Sequence, residues 1–101
     1  MPRPSDCQSK EEIRSEIDRL DRQMIALMAE RFDYVRRMAE LKHNPDEAFV
    51  QERIDEVLDK VASQAEASGL DGNLVRTMWR NLIDWNVAYE RRAIAERKRR
   101  G

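Results

Sequence analysis

Cysteine, glycine and proline are scarce in this 101-residue chain, which contains one Cys, three Gly and three Pro. A single Cys excludes an intramolecular disulfide and a metal cluster held by several thiolates. Few Gly and Pro leave little material for turns, which favours a few long helices over many strands. We therefore expect an all-α fold and no metal site.

An excess of charge of one sign is also lacking, because 19 basic and 20 acidic residues leave a net charge of -1 at pH 7. This balance favours neither nucleic acid nor a membrane as a partner. No uncharged run reaches transmembrane length, and the N-terminal segment MPRPSDCQSK lacks the apolar stretch of a signal peptide. The sequence predicts a cytoplasmic protein.

Apolar residues recur at helical spacing in three segments, which predict helices at about 10–42, 48–68 and 71–98 of a single domain, 1–101. The first helix would be roughly 45 to 50 Å long. A helix of this length exceeds the width of a compact domain of this size, so its apolar stripe needs a second chain. We predict a three-helix protomer that forms a homodimer through its long helices.

Local signals mark the ends of these helices. Ser9 and Glu12 have the spacing of a capping box, which opens the first helix, and Pro45 ends it. Gly69 is expected just after the second helix, and Asp71 is expected to cap the third.

Two cations interrupt the apolar stripe of the first helix. At about 100° per residue from Ile13, Arg31 returns almost to zero and Lys42 to about 20°. An unpaired buried charge is strongly destabilising, so both cations need negative partners. Acidic side chains such as Glu52 or Glu90 could form structural ion pairs with them, or a small dianion could bind between them.

The third helix has two polar residues, Asn86 and Glu90, on its otherwise apolar face at the i, i+4 spacing that makes them neighbours. Such a pair is most typical of a satisfied polar contact within a core. Polar groups on the buried faces of two helices also fit a binding site. The residues alone leave both interpretations open.

Three segments that cover nearly the whole chain carry a family resemblance: DCQSKEEIRSEIDRLDRQMIALMAERFDYVRRMAELK, QERIDEVLDKV and GLDGNLVRTMWRNLIDWNVAYE. The opening pattern I-R-x-x-I-D-x-[LI]-D, the later E-R pair and the lone Lys at the end of the first helix are its specific marks. With these marks the chain resembles the all-helical chorismate mutases and their relatives, the isochorismate pyruvate lyases.

This resemblance implies an intertwined homodimer with two equivalent sites, each lined mainly by one chain and completed by Arg14 of the other. It also implies a small dicarboxylate substrate, chorismate or isochorismate, and a reaction that needs no cofactor. The implied catalytic residues are Arg31, Lys42 and Glu90, and the implied substrate-binding residues are Arg14, Arg53, Asn86, Val35 and Ile54.

Ile54 bears on the choice of substrate. Many mutases have an acidic residue directly after the Arg of the second helix, where it holds the substrate hydroxyl, whereas the pyruvate lyases tend to be apolar there. Glu90 and its surroundings look more like those of stand-alone mutases. The resemblance thus implies a chorismate mutase of aromatic amino acid biosynthesis, with an isochorismate pyruvate lyase, which gives salicylate and pyruvate, as the alternative.

The C-terminal segment RRAIAERKRR offers an alternative outside the enzyme class. A helical dimer with such a basic tail could bind nucleic acid. A solvated, fraying helix end, whose cations complement the helix dipole, explains the same residues and is the interpretation we favour.

Overall fold

The computed structural model describes residues 3–101. Its α-helices are α1 (Lys10–Leu41), α2 (Gln51–Ala67) and α3 (Gly72–Arg100), and single 3₁₀ turns cover Pro4–Asp6 and Pro45–Ala48. The described residues contain no strand, so the predicted all-α class with one long first helix is confirmed. None of the helices in this part of the chain is both long enough and apolar enough to cross a membrane.

The chain divides into two compact units, Met1–Tyr34 and Val35–Gly101, and α1 contributes to both. In the N-terminal unit the predicted cap of α1 is present, because Ser9 Oγ accepts a hydrogen bond of 3.1 Å from the Glu12 amide. The Glu12 carboxylate accepts from the Gln8 amide rather than from Ser9, also at 3.1 Å. These bonds satisfy amide groups that no helical carbonyl can reach.

The apolar stripe of α1 is open to solvent in the N-terminal unit. Ile13, Ile17, Leu20 and Met24 are each between 45% and 50% exposed. A continuous exposed apolar stripe of this kind marks an interaction surface. The homodimer, like the single domain over 1–101, stays a prediction.

The core of the C-terminal unit lies between α2 and α3. Ile54 and Leu58 of α2 meet Ile83 of α3, and all three are at most 7% exposed. The half-buried side chains that surround them are Val57, Trp79 and Val87. This core positions the faces of α2 and α3 on which the candidate site residues lie.

Gly69 ends α2 as predicted. Its φ of 82° lies in the left-handed region that favours glycine. The Leu70 amide then donates to the Ala65 carbonyl at 2.8 Å, and the Gly69 amide donates to the Glu66 carbonyl at 3.1 Å. These two bonds form a Schellman motif. The reversal brings α3 back along α2.

Asp71 caps α3, as the sequence predicts. Its carboxylate accepts from the amides of Asn73 and Leu74, at 2.7 and 3.3 Å. The Glu66 carboxylate accepts the Gly72 amide at 2.8 Å and so ties the start of α3 to the end of α2.

The second helix differs from its predicted form. It begins at Gln51 rather than at 48, because Pro45–Ala48 form a separate 3₁₀ turn and Val50 is extended, with φ -127° and ψ 101°. Its buried face also includes Leu58. Val50, whose spacing from Ile54 and Val57 predicts a place on that face, is instead 48% exposed. The packing of α3 selects the face that is buried.

Glu47 closes the turn between α1 and α2. Its Oε2 accepts hydrogen bonds from the amides of Asn44, at 2.7 Å, and His43, at 2.6 Å. These two bonds, with that from Asn44 as the larger contribution, hold the pKa of Glu47 below its usual range. The carboxylate thus favours the folded turn while it is ionised.

The first prediction concerns acid stability. Because the folded-state pKa of Glu47 is lowered, its contribution is complete above the usual glutamate pKa of about 4.3 and is lost as the pH falls through the folded-state value. We expect Glu47→Gln to have a smaller free energy of unfolding than wild type at pH 7, and this difference to shrink as the pH falls towards 3. Urea unfolding at fixed protein concentration across this pH range measures it.

Asp84→Asn is the matched control, because it removes one exposed carboxylate from the middle of α3. The difference in free energy of unfolding between this variant and wild type should change little over the same pH range. A Glu47→Gln difference that stays constant from pH 7 to pH 3 would contradict the proposed role of the Glu47 charge.

Candidate functional site

Lys42 and Glu90 form the polar centre of the C-terminal unit. Lys42 directly follows α1, and its Nζ lies 2.9 Å from Oε1 of Glu90 on α3. The two side chains are only 20% and 9% exposed. Of the two kinds of partner anticipated for Lys42, the structure therefore shows the acidic side chain, as a largely buried ion pair.

The Glu90 carboxylate is incompletely satisfied. Its Oε1 is buried and, within residues 3–101, accepts no hydrogen bond, since the nearby Lys42 ammonium is close enough for an ion pair but not aligned as a donor. A buried acceptor without a donor is costly, and a ligand that supplies a donor relieves this cost. The pair is therefore both a structural contact and a candidate binding point.

Asn86 lies one turn before Glu90 on α3, and these two are the buried polar side chains of the described part of the chain, at 6% and 7% exposure. Their neighbours at helical spacing, Ile83 and Ile94, are 7% and 0% exposed. The polar pair therefore interrupts an apolar face, as the sequence predicts. In such surroundings electrostatic interactions are stronger than in water.

The two apolar residues of the predicted substrate-binding set differ in burial. Ile54 is 5% exposed and belongs to the core between α2 and α3. Val35, in the last part of α1, is half-buried. Ile54 is thus fixed by packing, whatever it contributes to substrate binding.

Arg53 makes its contacts within its own helix. Its Nη1 donates to Glu56 Oε1 at 2.7 Å, and its side chain is 62% exposed. Lys60 first, and Arg53 after it, hold the pKa of Glu56 below its usual range. The structure does not bring Arg53 to Glu90, and a pair this exposed adds little stability, so the guanidinium can exchange Glu56 for another carboxylate.

Arg14 and Arg31 belong to the N-terminal unit. Both lie on α1, where Arg14 is exposed and Arg31 is half-buried. The half-buried state of Arg31 agrees with its predicted place within the apolar stripe. Their roles towards a substrate stay predictions.

Sequence reasoning missed Arg97 and Lys98. Arg97 Nη1 donates to the Ala39 carbonyl at 2.9 Å and its Nη2 donates to the Lys42 carbonyl, while Lys98 Nζ donates to Asn44 Oδ1 at 2.8 Å. Both residues are exposed, as expected of a solvated helix end, but they also bind the end of α1, which the sequence did not predict. The end of α1 leaves carbonyls without helical partners, and α3 supplies donors to them. The sequence does show that basic residues occupy the last turn of the third helix. It does not show that they bind groups 54 to 58 residues earlier in the chain.

Comparison with known proteins agrees with the family resemblance. Residues 13–91 match the family described as chorismate mutase type II. The chain is also similar to an isochorismate pyruvate lyase of Pseudomonas aeruginosa, with 32% identity over 88 residues, or 87% of each chain. The family match, over residues 13–91, spans the positions of Lys42, Arg53 and Glu90. The chain therefore belongs to the chorismate mutase type II family.

Proposed function

We propose that the protein is a chorismate mutase, which converts chorismate to prephenate by a [3,3] rearrangement. The observation that carries this proposal is the Lys42–Glu90 pair, with its 2.9 Å separation and its buried carboxylate oxygen that accepts no hydrogen bond within residues 3–101. Two groups this close together can address one atom of a ligand. We also expect a role in aromatic amino acid biosynthesis and a place in the cytoplasm.

The rearrangement breaks the C–O bond of an enolpyruvyl ether and forms a C–C bond within the same molecule. Negative charge grows on the ether oxygen as the C–O bond lengthens, and the reaction needs neither a nucleophile nor a redox step. In this proposal the substrate replaces the Lys42–Glu90 ion pair of the free protein. The Lys42 ammonium then donates a hydrogen bond to the ether oxygen, and Glu90, protonated in the complex, donates a second. Both donors are held in advance by α3 and by the end of α1, which reduces the reorganisation needed in the transition state.

Arginines bind the two carboxylates in this proposal. Arg31 and Arg53 would serve one chain's site and Arg14 the partner's, because a guanidinium matches a carboxylate with two parallel hydrogen bonds. Val35 and Ile54 would supply apolar surface and Asn86 a hydrogen bond. Together they select the compact conformer of the substrate in which the reacting carbon atoms approach each other.

A second candidate function is isochorismate pyruvate lyase. Two observations favour it: the similar protein of Pseudomonas aeruginosa carries that name, and Ile54 is a buried apolar residue at the position where many mutases hold the substrate hydroxyl. Chorismate and isochorismate differ in the place of this hydroxyl, so a missing polar partner changes their discrimination. Both reactions break the same kind of ether bond.

The second prediction separates these reactions. We expect the purified protein to convert chorismate to prephenate with a larger kcat/KM than it shows for isochorismate. Product analysis by chromatography with each substrate alone distinguishes prephenate from salicylate and pyruvate. Faster formation of salicylate would show that the protein is a lyase and not a mutase. Absence of turnover with both substrates would reject both proposed functions.

The third prediction concerns Glu90. Glu90→Gln keeps a donor of similar shape, so we expect its kcat at pH 7 to stay within about threefold of wild type, whereas Glu90→Ala removes the donor and should lose roughly a hundredfold or more. Glu96→Gln, an exposed change on the same helix, is the control and should match wild type. If Glu90→Gln is as slow as Glu90→Ala, the residue acts as the anion that holds Lys42 and not as a donor.

The homodimer is supported by the exposed stripe of α1. Ile13, Ile17 and Leu20 have nearly half of their surface exposed, and a second α1 is the partner that matches their spacing. In this assembly Arg14, which is exposed beside the stripe, completes the partner's site. We therefore expect the unfolding midpoint to rise with protein concentration.

The fourth prediction tests this shared site. Arg14→Ala and Arg31→Ala should each be inactive alone, because each dimer then lacks one arginine in both of its sites. After random exchange of equal amounts, half of the dimers are mixed and each has one intact site, so about a quarter of wild-type activity should return. Mass spectrometry of differently tagged chains verifies the exchange. Complete exchange without recovery would place both arginines in the same chain's site.

A further inference from the structure

The end of α1 is held by contacts that leave two carbonyl groups for α3. The Lys42 amide donates to the Met38 carbonyl at 3.1 Å, but the following amides, of His43 and Asn44, donate to the Glu47 carboxylate. The Ala39 carbonyl therefore has no amide from the next turn. Buried carbonyls at a helix end need another donor, and Ala39 is only 3% exposed.

Arg97 supplies that donor with its forked guanidinium. Nη1 donates to the Ala39 carbonyl at 2.9 Å, and Nη2 donates to the carbonyl of Lys42 itself. Guanidinium nitrogens are held in one plane, so two simultaneous bonds fix both the distance and the orientation of the peptide groups that they contact. The backbone of Lys42 is thereby attached to α3.

Glu90 holds the other end of the same residue. Glu90 and Arg97 are seven residues apart on α3, which places them two turns apart on one face, separated by about 10 Å along the axis. Arg97 contacts the carbonyl of Lys42, and Glu90 lies 2.9 Å from its ammonium. One helix face therefore fixes both the backbone and the charged tip of Lys42.

We propose that Arg97 is the positioning residue that aligns Lys42 with the ether oxygen of the substrate. This proposal rests on the proposed function, because it assigns to Arg97 a role in the pericyclic reaction that Lys42 serves. Arg97 acts through the peptide group of Lys42 and makes no contact with substrate. Its loss therefore loosens the backbone of Lys42, and with it the placement of the ammonium, without removing any group from the site.

Arg97→Lys tests the proposal, since it keeps the charge but a single ammonium cannot reproduce the planar fork to both carbonyls. Arg99→Lys is the matched control, an exposed position in the same last turn of α3. We expect kcat for Arg97→Lys to fall between about tenfold and a hundredfold with little change in KM, and Arg99→Lys to match wild type. Circular dichroism and sedimentation establish that all proteins compared are folded and equally assembled at the assay temperature.

A double-mutant cycle separates positioning from general loosening of the fold. If Arg97 acts through Lys42, Arg97→Lys should cost nothing further in a Lys42→Ala background. A purely structural role would lower kcat by the same factor in both backgrounds, and that result would overturn the proposal.

Chemical labelling of Lys42 tests the proposal without an activity assay. It is needed if the activity of the Lys42→Ala protein is too low to measure. Acetylation by dilute acetic anhydride, followed by peptide mass spectrometry, reports the accessibility of each lysine. Lys42, with 20% of its side chain exposed, should react slowly in wild type and at least about threefold faster in Arg97→Lys, relative to Lys60, which is 63% exposed. An unchanged ratio would overturn the role of Arg97.

These measurements distinguish failure of the proposed function from failure of the positioning role of Arg97. A wild-type protein that converts neither chorismate nor isochorismate rejects the proposed function, and with it any role of Arg97 in turnover. If the wild type is active but either its kcat or its Lys42 acetylation is insensitive to Arg97→Lys, the positioning role alone is rejected.

Discussion

The buried carboxylate of Glu90 imposes the main constraint on the C-terminal unit. A charge at 7% exposure is strongly destabilising unless a cation lies close by, and that cation is Lys42, which directly follows α1. The end of α1 must therefore meet α3 at this level. The guanidinium of Arg97 fastens the same end two turns further along α3, so the helix end, the ion pair and the C-terminal segment depend on one another.

The interaction that solves this folding problem is also suited to chemistry. A lysine and a carboxyl group that are close together on an apolar face can both address one oxygen of a ligand, and their directions are fixed before the ligand binds. The reactions that we propose on chorismate-like ethers need charge stabilisation and conformational selection rather than a nucleophile. The structure supplies a preformed pair of this kind in the unit that also carries Arg53, Asn86 and Ile54.

The two units satisfy their apolar residues in different ways. The C-terminal unit has its own core, in which Ile54 and Leu58 of α2 pack against Ile83 of α3. The N-terminal unit presents residues such as Ile17 and Leu20 to solvent along one face of α1. Packing within the chain therefore accounts for α2 and α3, whereas the exposed stripe of α1 has the properties of an interaction surface.

The sequence by itself determined the features that depend on a few neighbouring residues. Ser9, Gly69 and Asp71 mark helix ends because a cap or a left-handed turn acts on amides and carbonyls within about four residues, and Lys42 and Glu90 stand out because helical periodicity places them on apolar faces. The tertiary structure alone decided the rest. It selected Leu58 over Val50 for the buried face of α2, and it brought Arg97 to carbonyls 55 and 58 residues earlier. Periodicity defines a face only to within about one residue, and a donor at the end of one helix carries no local signal for the helix end that it will meet, because that pairing is set by how the helices pack.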